Sequence, residues 1–157
     1  MSGGAVGMLC DALRSLYPGD AVSDPAGFAE FSLSFVQSVF EYRTDLESHG
    51  IPDYISYPVE TLVERGGDCE DASLLYVAIM LCAGYDAGLF IFKNHVMAAI
   101  CIPEYVASAN IPGCELFSIA HNGKEYLACE TTPGEFIPVG FIVTSLVGNA
   151  PEALLYI

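Results

Sequence analysis

One cysteine, Cys69, lies where a glycine turn meets the start of an apolar helix. It follows Gly66-Gly67-Asp68 and precedes Glu70-Asp71-Ala72-Ser73, after which apolar residues run from Leu74 to Cys82. The N–H groups at a helix start stabilise a thiolate, which is the nucleophilic form of cysteine. They can also stabilise the oxyanion that forms when a thiolate attacks a carbonyl. This position therefore suits a cysteine acyl-transfer site.

A purely structural role for Cys69 is the alternative, since most cysteines are inert packing residues. Three carboxylates flank it, on Asp68, Glu70 and Asp71, and like-charge repulsion from them disfavours a thiolate. Acids at the first turn of a helix also serve as ordinary caps. The catalytic interpretation therefore requires a histidine close to the cysteine.

Among the three histidines, His95 is the candidate partner of Cys69. It opens the apolar run from Val96 to Ile102, which is typical of a buried strand. A lone histidine at a strand start is more often structural, but its position after the cysteine helix favours catalysis. We expect the other two histidines to be solvated: His49 precedes a glycine–proline loop, and His121 precedes an Asn-Gly pair that predicts a hairpin turn.

An acid that orients the imidazole would complete the site, and Glu130 is the candidate. It lies near the end of a predicted strand, shortly before the turn at Pro133-Gly134. A carboxylate that leaves a buried strand without a partner is costly, so a partner is expected. The alternative is an ordinary solvated strand end.

The motifs together resemble the transglutaminase-like superfamily, and most closely its microbial, peptidase-like branch of bacterial transglutaminase-like cysteine proteinases. The resemblance covers roughly residues 35–140, and the residues that carry it are Tyr57-Pro58-Val59-Glu60-Thr61-Leu62, Gly66-Gly67-Asp68-Cys69-Glu70-Asp71, Gly84-Tyr85, His95-Val96 and Glu130-Thr131-Thr132. It implies that Cys69 is the nucleophile, His95 the general base and acid, and Glu130 the orienting acid. The family more often has Asp at the third position, so Glu130 is a departure.

Two reactions share this machinery, and a third interpretation needs no catalysis. Hydrolysis of the acyl-enzyme by water would make the chain a cysteine peptidase or amidase, and transfer to an amine would make it a protein-crosslinking transglutaminase. The chain has no tryptophan, which weakens the resemblance to animal-type transglutaminases and favours hydrolysis. A binding module that keeps the fold without activity is the third possibility, and the presence of all three site residues disfavours it.

The pattern of the chain predicts an α+β fold, with a transglutaminase-like or papain-like core in which the cysteine-bearing helix packs on an antiparallel sheet. A length of 157 residues fits one domain, with residues 1–50 as an N-terminal helical part and 51–157 as a catalytic core. Helices are expected over 5–16, from Asp24-Pro25 to about Glu47, over 61–64 and along the cysteine helix to Gly84. Strands are expected at about 86–92, 95–102, 115–120, 124–131 and 136–143.

The order of these strands must satisfy a geometric condition. His95 opens its strand and Glu130 ends another, so the two meet only if these strands are antiparallel neighbours. The Asn-Gly hairpin pairs 115–120 with 124–131, which requires the order 95–102, 124–131, 115–120. Residues 103–114 must then return along the sheet, and twelve residues can span about 40 Å against roughly 26 Å for an eight-residue strand.

Charge and composition limit the partners of the chain. Five Lys and Arg face 20 Asp and Glu, a net charge of −15, which repels nucleic acid and anionic lipid. The expected partner is a protein or peptide substrate. No apolar stretch reaches the roughly 20 residues of a membrane span, and no signal peptide is visible, which favours the cytoplasm unless the chain is part of a longer, anchored protein.

Metal and cysteine patterns add little to this picture. No cofactor is expected. The acids beside the cysteine resemble a calcium site of the branch of this family that cleaves surface adhesins, which implies that calcium could bind the carboxylates of Asp68 and Glu70, since it prefers oxygen ligands. Capping of the helix, with salt bridges to Arg65 or Lys93, is the favoured alternative. The six cysteines show no paired metal-ligand spacing, and Cys82 and Cys101 are expected in the core.

Overall fold

A computed structural model describes residues 4–105, 110–132, 134–148 and 152–157 of the chain. Its helices are α1 (Ala5–Leu16), α2 (Pro25–Val39), α3 (Asp45–His49), α4 (Pro58–Glu64), α5 (Cys69–Cys82) and α6 (Thr144–Val147). Its strands are β1 (Glu41–Tyr42), β2 (Gly66–Gly67), β3 (Asp86–Ile91), β4 (Val96–Cys101), β5 (Cys114–Leu116), β6 (Ser118–His121), β7 (Lys124–Cys129), β8 (Phe141–Val143) and β9 (Leu154–Tyr156).

Five strands form the main sheet in the order β6-β7-β4-β3-β9, and every neighbouring pair is antiparallel. The order β4-β7-β6 is the one that the site residues require, so that prediction is confirmed. The hairpin between β6 and β7 turns at Asn122 and Gly123, whose φ angles of 49° and 75° are left-handed, as an Asn-Gly turn favours. Two small sheets, β1-β2 and β5-β8, flank the main one.

Helix α5 is the central element of the core. It is apolar on nearly all sides, and Leu75, Tyr76, Ile79 and Met80 are completely buried. It contacts the main sheet through β3 and β4 and is covered by α1, α2 and α4. A helix that is hydrophobic all round must be enclosed by other elements, and here it is. The α+β fold with a cysteine-bearing helix on an antiparallel sheet is confirmed.

Helix α2 ends earlier than its apolar periodicity predicts. It stops at Val39 rather than near Glu47, and the chain becomes extended at β1, which pairs in parallel with β2. A new helix, α3, starts after Thr44. The Thr44 hydroxyl accepts a hydrogen bond from the Glu47 N–H, and the Glu47 carboxylate accepts one from the Thr44 N–H. This capping box offers helix-starting bonds that a continuous helix would lose.

The strands also depart from expectation in two places. The strand expected at 115–120 is divided into β5 and β6 at Phe117, whose N–H donates to the Gly140 carbonyl. The strand expected at 136–143 begins only at Phe141, because Ile137 bonds to a side chain of α2 instead. Strand β9 pairs with β3 and was not predicted.

Two further features of the fold concern its longer helices and its cysteines. Within the described ranges, no helix combines the length and the apolar character that crossing a bilayer would demand. All six cysteines are free thiols; Cys10 and Cys129 are buried, Cys101 is half-buried and Cys82 is exposed. The expectation of a core position is therefore wrong for Cys82, which lies on the last turn of α5.

Strand β9 packs closely against a glycine of β3, Gly88. A Cβ atom at Gly88 would clash with the backbone carbonyl oxygen of Tyr156 in β9. We expect Gly88→Ala to lower the free energy of unfolding by about 1–3 kcal/mol, the usual cost of overpacking, measured by urea denaturation. Gly134→Ala is the matched control, because among the described residues no heavy atom beyond its chain neighbours lies within 4 Å of its Cβ position. Equal stability of the two variants would contradict this prediction.

Candidate active site

Cys69 is the first residue of α5, and Asp68 is the N-cap. The Asp68 carboxylate accepts from the N–H of Glu70 at 2.9 Å and of Asp71 at 3.2 Å. The Asp71 carboxylate in turn accepts a hydrogen bond from the Asp68 N–H at 3.3 Å, which completes a capping box. Glycine is required just before the cap, since a Cβ atom on Gly67 would lie 2.6 Å from that of Asp71. The cysteine is thus held at a helix start, half-buried.

Two adjacent strands bring His95 and Glu130 to the same edge of the sheet. His95 immediately precedes β4, and its carbonyl accepts from the Phe92 N–H at 2.8 Å across the tight β3–β4 connection. Glu130 immediately follows β7. The antiparallel register pairs Ala98 with Cys129, so the start of β4 lies beside the end of β7. Residues 35 positions apart therefore become neighbours.

A short hydrogen bond joins the two side chains. His95 Nε2 and Glu130 Oε2 are 2.8 Å apart. Glu130 is completely buried, and its other oxygen accepts from the N–H and the hydroxyl of Thr132 at 3.1 and 3.0 Å. An ionised carboxylate only accepts, so the His95 Nε2–H is the donor. Both oxygens of the buried acid are thereby paired.

His95 also contacts the Cys69 thiol. Burial of the ring lowers its pKa, but hydrogen bonds with Cys69 and Glu130 and the charges of both raise it, and these outweigh burial to give a pKa of about 10. Since Nε2 faces Glu130, Nδ1 is the ring nitrogen left for the sulfur. The structure therefore brings together the three residues singled out in the sequence, with the histidine in the middle.

Two residues that the sequence did not single out support this arrangement. The Ser73 hydroxyl, completely buried in α5, lies 3.3 Å from the Val96 carbonyl and 3.0 Å from the Thr131 hydroxyl. It links the cysteine helix to the start of β4 and to the residue after Glu130. Gln37 of α2 holds the same region through backbone contacts. A serine in an apolar helix or a glutamine near a helix end carries no sequence signal for such a role.

A group of three carboxylates lies beside the site. Ligand oxygens of Asp45, Asp68 and Asp71 are all within 4.8 Å of one another, whereas Glu70, proposed from the sequence, is outside this group. Burial, followed by the charges of its acidic neighbours, raises the pKa of Asp68. In the described part of the chain no ion pair links these acids to Arg65 or Lys93. Capping is confirmed, and the expected salt bridges are wrong.

One oxygen in this group has no partner. Asp45 is 7% exposed, and its Oδ2 accepts from the Tyr54 N–H at 2.7 Å. Its Oδ1 is buried and accepts no hydrogen bond from the described residues. Carboxylate oxygens are the ligands that calcium prefers, and a buried oxygen without a partner is unfavourable. The residues present therefore fit a hard cation in addition to their role as helix caps.

The other two histidines have different partners. His49 stacks on Tyr54 with ring centroids 4.1 Å apart and lies 3.6 Å from a Glu64 oxygen. Its side chain is 17% exposed, so the expectation of a solvated His49 is wrong, because the loop after α3 folds back over it. His121 is exposed in the β6–β7 hairpin, as expected.

Two cavities bear on where a substrate could lie. A cleft of about 280 Å³ adjoins the site, with Tyr42 and Gly67 on one side and Thr131 and Thr132 on the other. A larger cavity of about 700 Å³ lies at the opposite end of β4 and β7, near Cys101 and Lys124. The smaller cleft is the relevant one, because Gly67 and Ala72, which lie shortly before and after Cys69, line it together with Thr131, the residue after Glu130.

The comparisons with known proteins concern the fold. No protein-family model and no curated protein matches the sequence. The chain is similar in structure to LapG of Legionella pneumophila in an EGTA-treated form, at 20% identity and a TM-score of 0.50, over 96% of this chain and 68% of that one. For calcium-bound LapG the identity is 19% and the TM-score 0.49, over 96% and 82%. LapG is a transglutaminase-like cysteine protease, and the chain shares its transglutaminase-like fold.

The raised pKa of His95 makes stability depend on pH. The pKa is about 10 in the folded chain and about 6.5 in the unfolded chain, so the stabilisation is complete below about pH 6.5 and is lost as pH rises towards 10. We expect the stability difference between the parent protein and His95→Gln to shrink steadily from pH 6 to pH 10 in urea denaturation. The exposed His121→Gln serves as control. A difference that stays constant with pH would contradict this assignment.

Proposed function

We propose that the chain is a cysteine peptidase or amidase that hydrolyses a protein or peptide substrate through Cys69, His95 and Glu130. The 2.8 Å contact between His95 and the fully buried Glu130, with Cys69 on the other side of the ring, is the observation that carries this proposal. Thiol acyl transfer needs a nucleophile that contacts a base, and a base that is oriented by an acid. The shared fold of a cysteine protease supports it.

In the proposed reaction the thiol proton already resides on His95, whose pKa of about 10 keeps the ring protonated at neutral pH, and the Cys69 thiolate attacks the substrate carbonyl. The carbonyl carbon gains a bond to sulfur, and the electron pair of the C=O double bond moves to oxygen. When the intermediate collapses, the C–N bond breaks and His95 gives its proton to the leaving amine. Water then attacks the thioester with His95 as base, and the acid product leaves while the thiol is restored. Glu130 supports the imidazolium throughout.

The oxyanion has one backbone donor at the helix start. Asp68 already accepts from the N–H groups of Glu70 and Asp71. The Cys69 N–H, by contrast, donates to no acceptor among the residues that the structure describes. A backbone N–H aimed at the developing charge lowers the barrier by stabilising the transition state. We therefore assign the Cys69 N–H as the oxyanion donor.

Calcium binding by Asp45, Asp68 and Asp71 is a second part of the proposal. The three carboxylates and the unpaired Oδ1 of Asp45 support it. When bound, the ion would neutralise the acidic group next to the helix start and would fix α3 against α5. The ion takes no part in the bond-making steps; Cys69, His95 and Glu130 carry these.

The proposed nucleophile is tested by alkylation. We expect iodoacetamide at pH 7 to label Cys69 faster than the other five cysteines, by peptide mass spectrometry. His95→Ala should slow that labelling at least tenfold, because the thiolate loses its cationic partner, and Glu130→Gln should slow it less. Cys82 is the internal control, since it is exposed at the opposite end of the same helix. Equal labelling of Cys69 and Cys82, unaffected by His95→Ala, would contradict the proposal.

The calcium site is tested by thermal unfolding. We expect millimolar calcium to raise the melting temperature of the parent protein by several degrees, since binding at 100 times Kd adds about 2.7 kcal/mol to stability, and about 2–4 °C accompanies each kcal/mol. Asp45→Asn should abolish the rise, because it removes a carboxylate of the group. Glu70→Gln is the matched control and should keep it. No rise in the parent protein would leave these acids as helix caps.

A further inference from the structure

Gln37 joins α2 to both ends of the segment that follows β7. Its Nε2 lies 2.8 Å from the Glu130 carbonyl oxygen and 3.0 Å from the Ile137 carbonyl oxygen. Its Oε1 accepts from the Ile137 N–H at 3.4 Å. An amide nitrogen has two N–H donors, and both are used here. The side chain thus bonds to two residues that lie 93 and 100 positions further along the sequence.

The position of the Glu130 backbone depends on this contact. The ladder between β4 and β7 ends at the pair of Ala98 and Cys129, one residue before the acid. Glu130 is therefore past the last paired position of its strand, and its carbonyl bonds to Gln37 instead of to a neighbouring strand. The carboxylate of the same residue must meet His95 Nε2 at 2.8 Å. A shift of the backbone would move this oxygen directly.

Gln37 also fixes the wall of the cleft beside the site. Together with Thr131 and Thr132 it lines the cavity of about 280 Å³, and Thr132 holds the second oxygen of Glu130. By binding residues 130 and 137, the one amide closes the loop that contains both threonines.

We infer that Gln37 is a positioning residue, which acts through the Glu130 backbone to hold the acid in hydrogen-bond contact with His95. The inference rests on the proposed function for its consequence in catalysis. Gln37 does not touch the reacting atoms, and both of its N–H groups are engaged by backbone carbonyls, so it is not an oxyanion donor. Small misplacements of a positioned group can cost about a hundredfold in rate.

The experiment compares Gln37→Met, which keeps the length of the side chain but removes all three hydrogen bonds, with Ser38→Ala at the next, exposed position of α2. We expect Gln37→Met to slow iodoacetamide labelling of Cys69 at pH 7 about tenfold, and Ser38→Ala to leave it within twofold. In the Glu130→Gln background, Gln37→Met should add less than a twofold further loss, because its effect passes through Glu130. Multiplicative losses in the double variant would overturn the inference.

A second readout needs no reactivity. The Nε2 proton of His95 resonates downfield when it donates to a carboxylate, and its shift in the proton NMR spectrum should move upfield in Gln37→Met but not in Ser38→Ala. An unchanged resonance in Gln37→Met would overturn the inference. A change in this resonance that a merely destabilising substitution such as Gly88→Ala reproduces would overturn it as well.

If Gln37→Met does not fold, Gln37→Glu provides a second test. This substitution keeps an acceptor for the Ile137 N–H but places carboxylate oxygens against two carbonyls, and we expect the same upfield shift. The two hypotheses fail separately: labelling of Cys69 that ignores His95→Ala contradicts the proposed function, and the His95 resonance still tests Gln37. Labelling that depends on His95 but is unchanged in both Gln37 variants contradicts only the inference about Gln37.

Discussion

The buried carboxylate of Glu130 is the constraint on which the rest of the site depends. An ionised acid with no exposed surface is unfavourable unless each oxygen has a donor. The structure supplies them from His95 and Thr132. To provide these donors, the chain must align two antiparallel strands in one register and must bring the N–H and hydroxyl of Thr132 to the Glu130 carboxylate. Because His95 donates its Nε2–H to Glu130, its other ring nitrogen is left to face the cysteine helix.

Charge around Cys69 is balanced by geometry rather than by basic side chains. The chain carries an excess of acids, and three of them crowd the start of α5. Asp68 and Asp71 direct their oxygens at backbone N–H groups, including that of Ser56 at 2.8 Å. These carboxylate oxygens are thereby paired with backbone donors. A thiol can then meet an imidazole beside a strongly acidic cluster.

Much of the site could be predicted because its signals are local. The glycines before Asp68 mark the turn, and the Asn122-Gly123 pair sets the pairing of β6 with β7, which leaves one strand order that joins His95 to Glu130. The early end of α2 had a signal too, the spacing of Thr44 and Glu47, but the apolar stripe obscured it. No local pattern shows that Asp45 joins Asp68 and Asp71.

The role of Gln37 could not be predicted for a different physical reason. Its partners are backbone carbonyls and an N–H, which every residue possesses, so nothing in the sequence of residues 130–137 indicates a glutamine partner. Cys82 illustrates the same limit: a helix that is apolar on all sides suggests burial throughout, but its last turn extends past the elements that cover it. Burial at a helix end is decided by the neighbours, not by the helix.

The wide spacing of the site along the chain has a consequence for biosynthesis. Residues 37, 69, 95 and 130 lie on α2, α5, the start of β4 and the end of β7, and no short fragment contains them all. Strand β7 is paired on both sides, so the histidine can gain its acid only after most of the chain has left the ribosome. A growing polypeptide therefore contains Cys69 well before the contact between His95 and Glu130 can form.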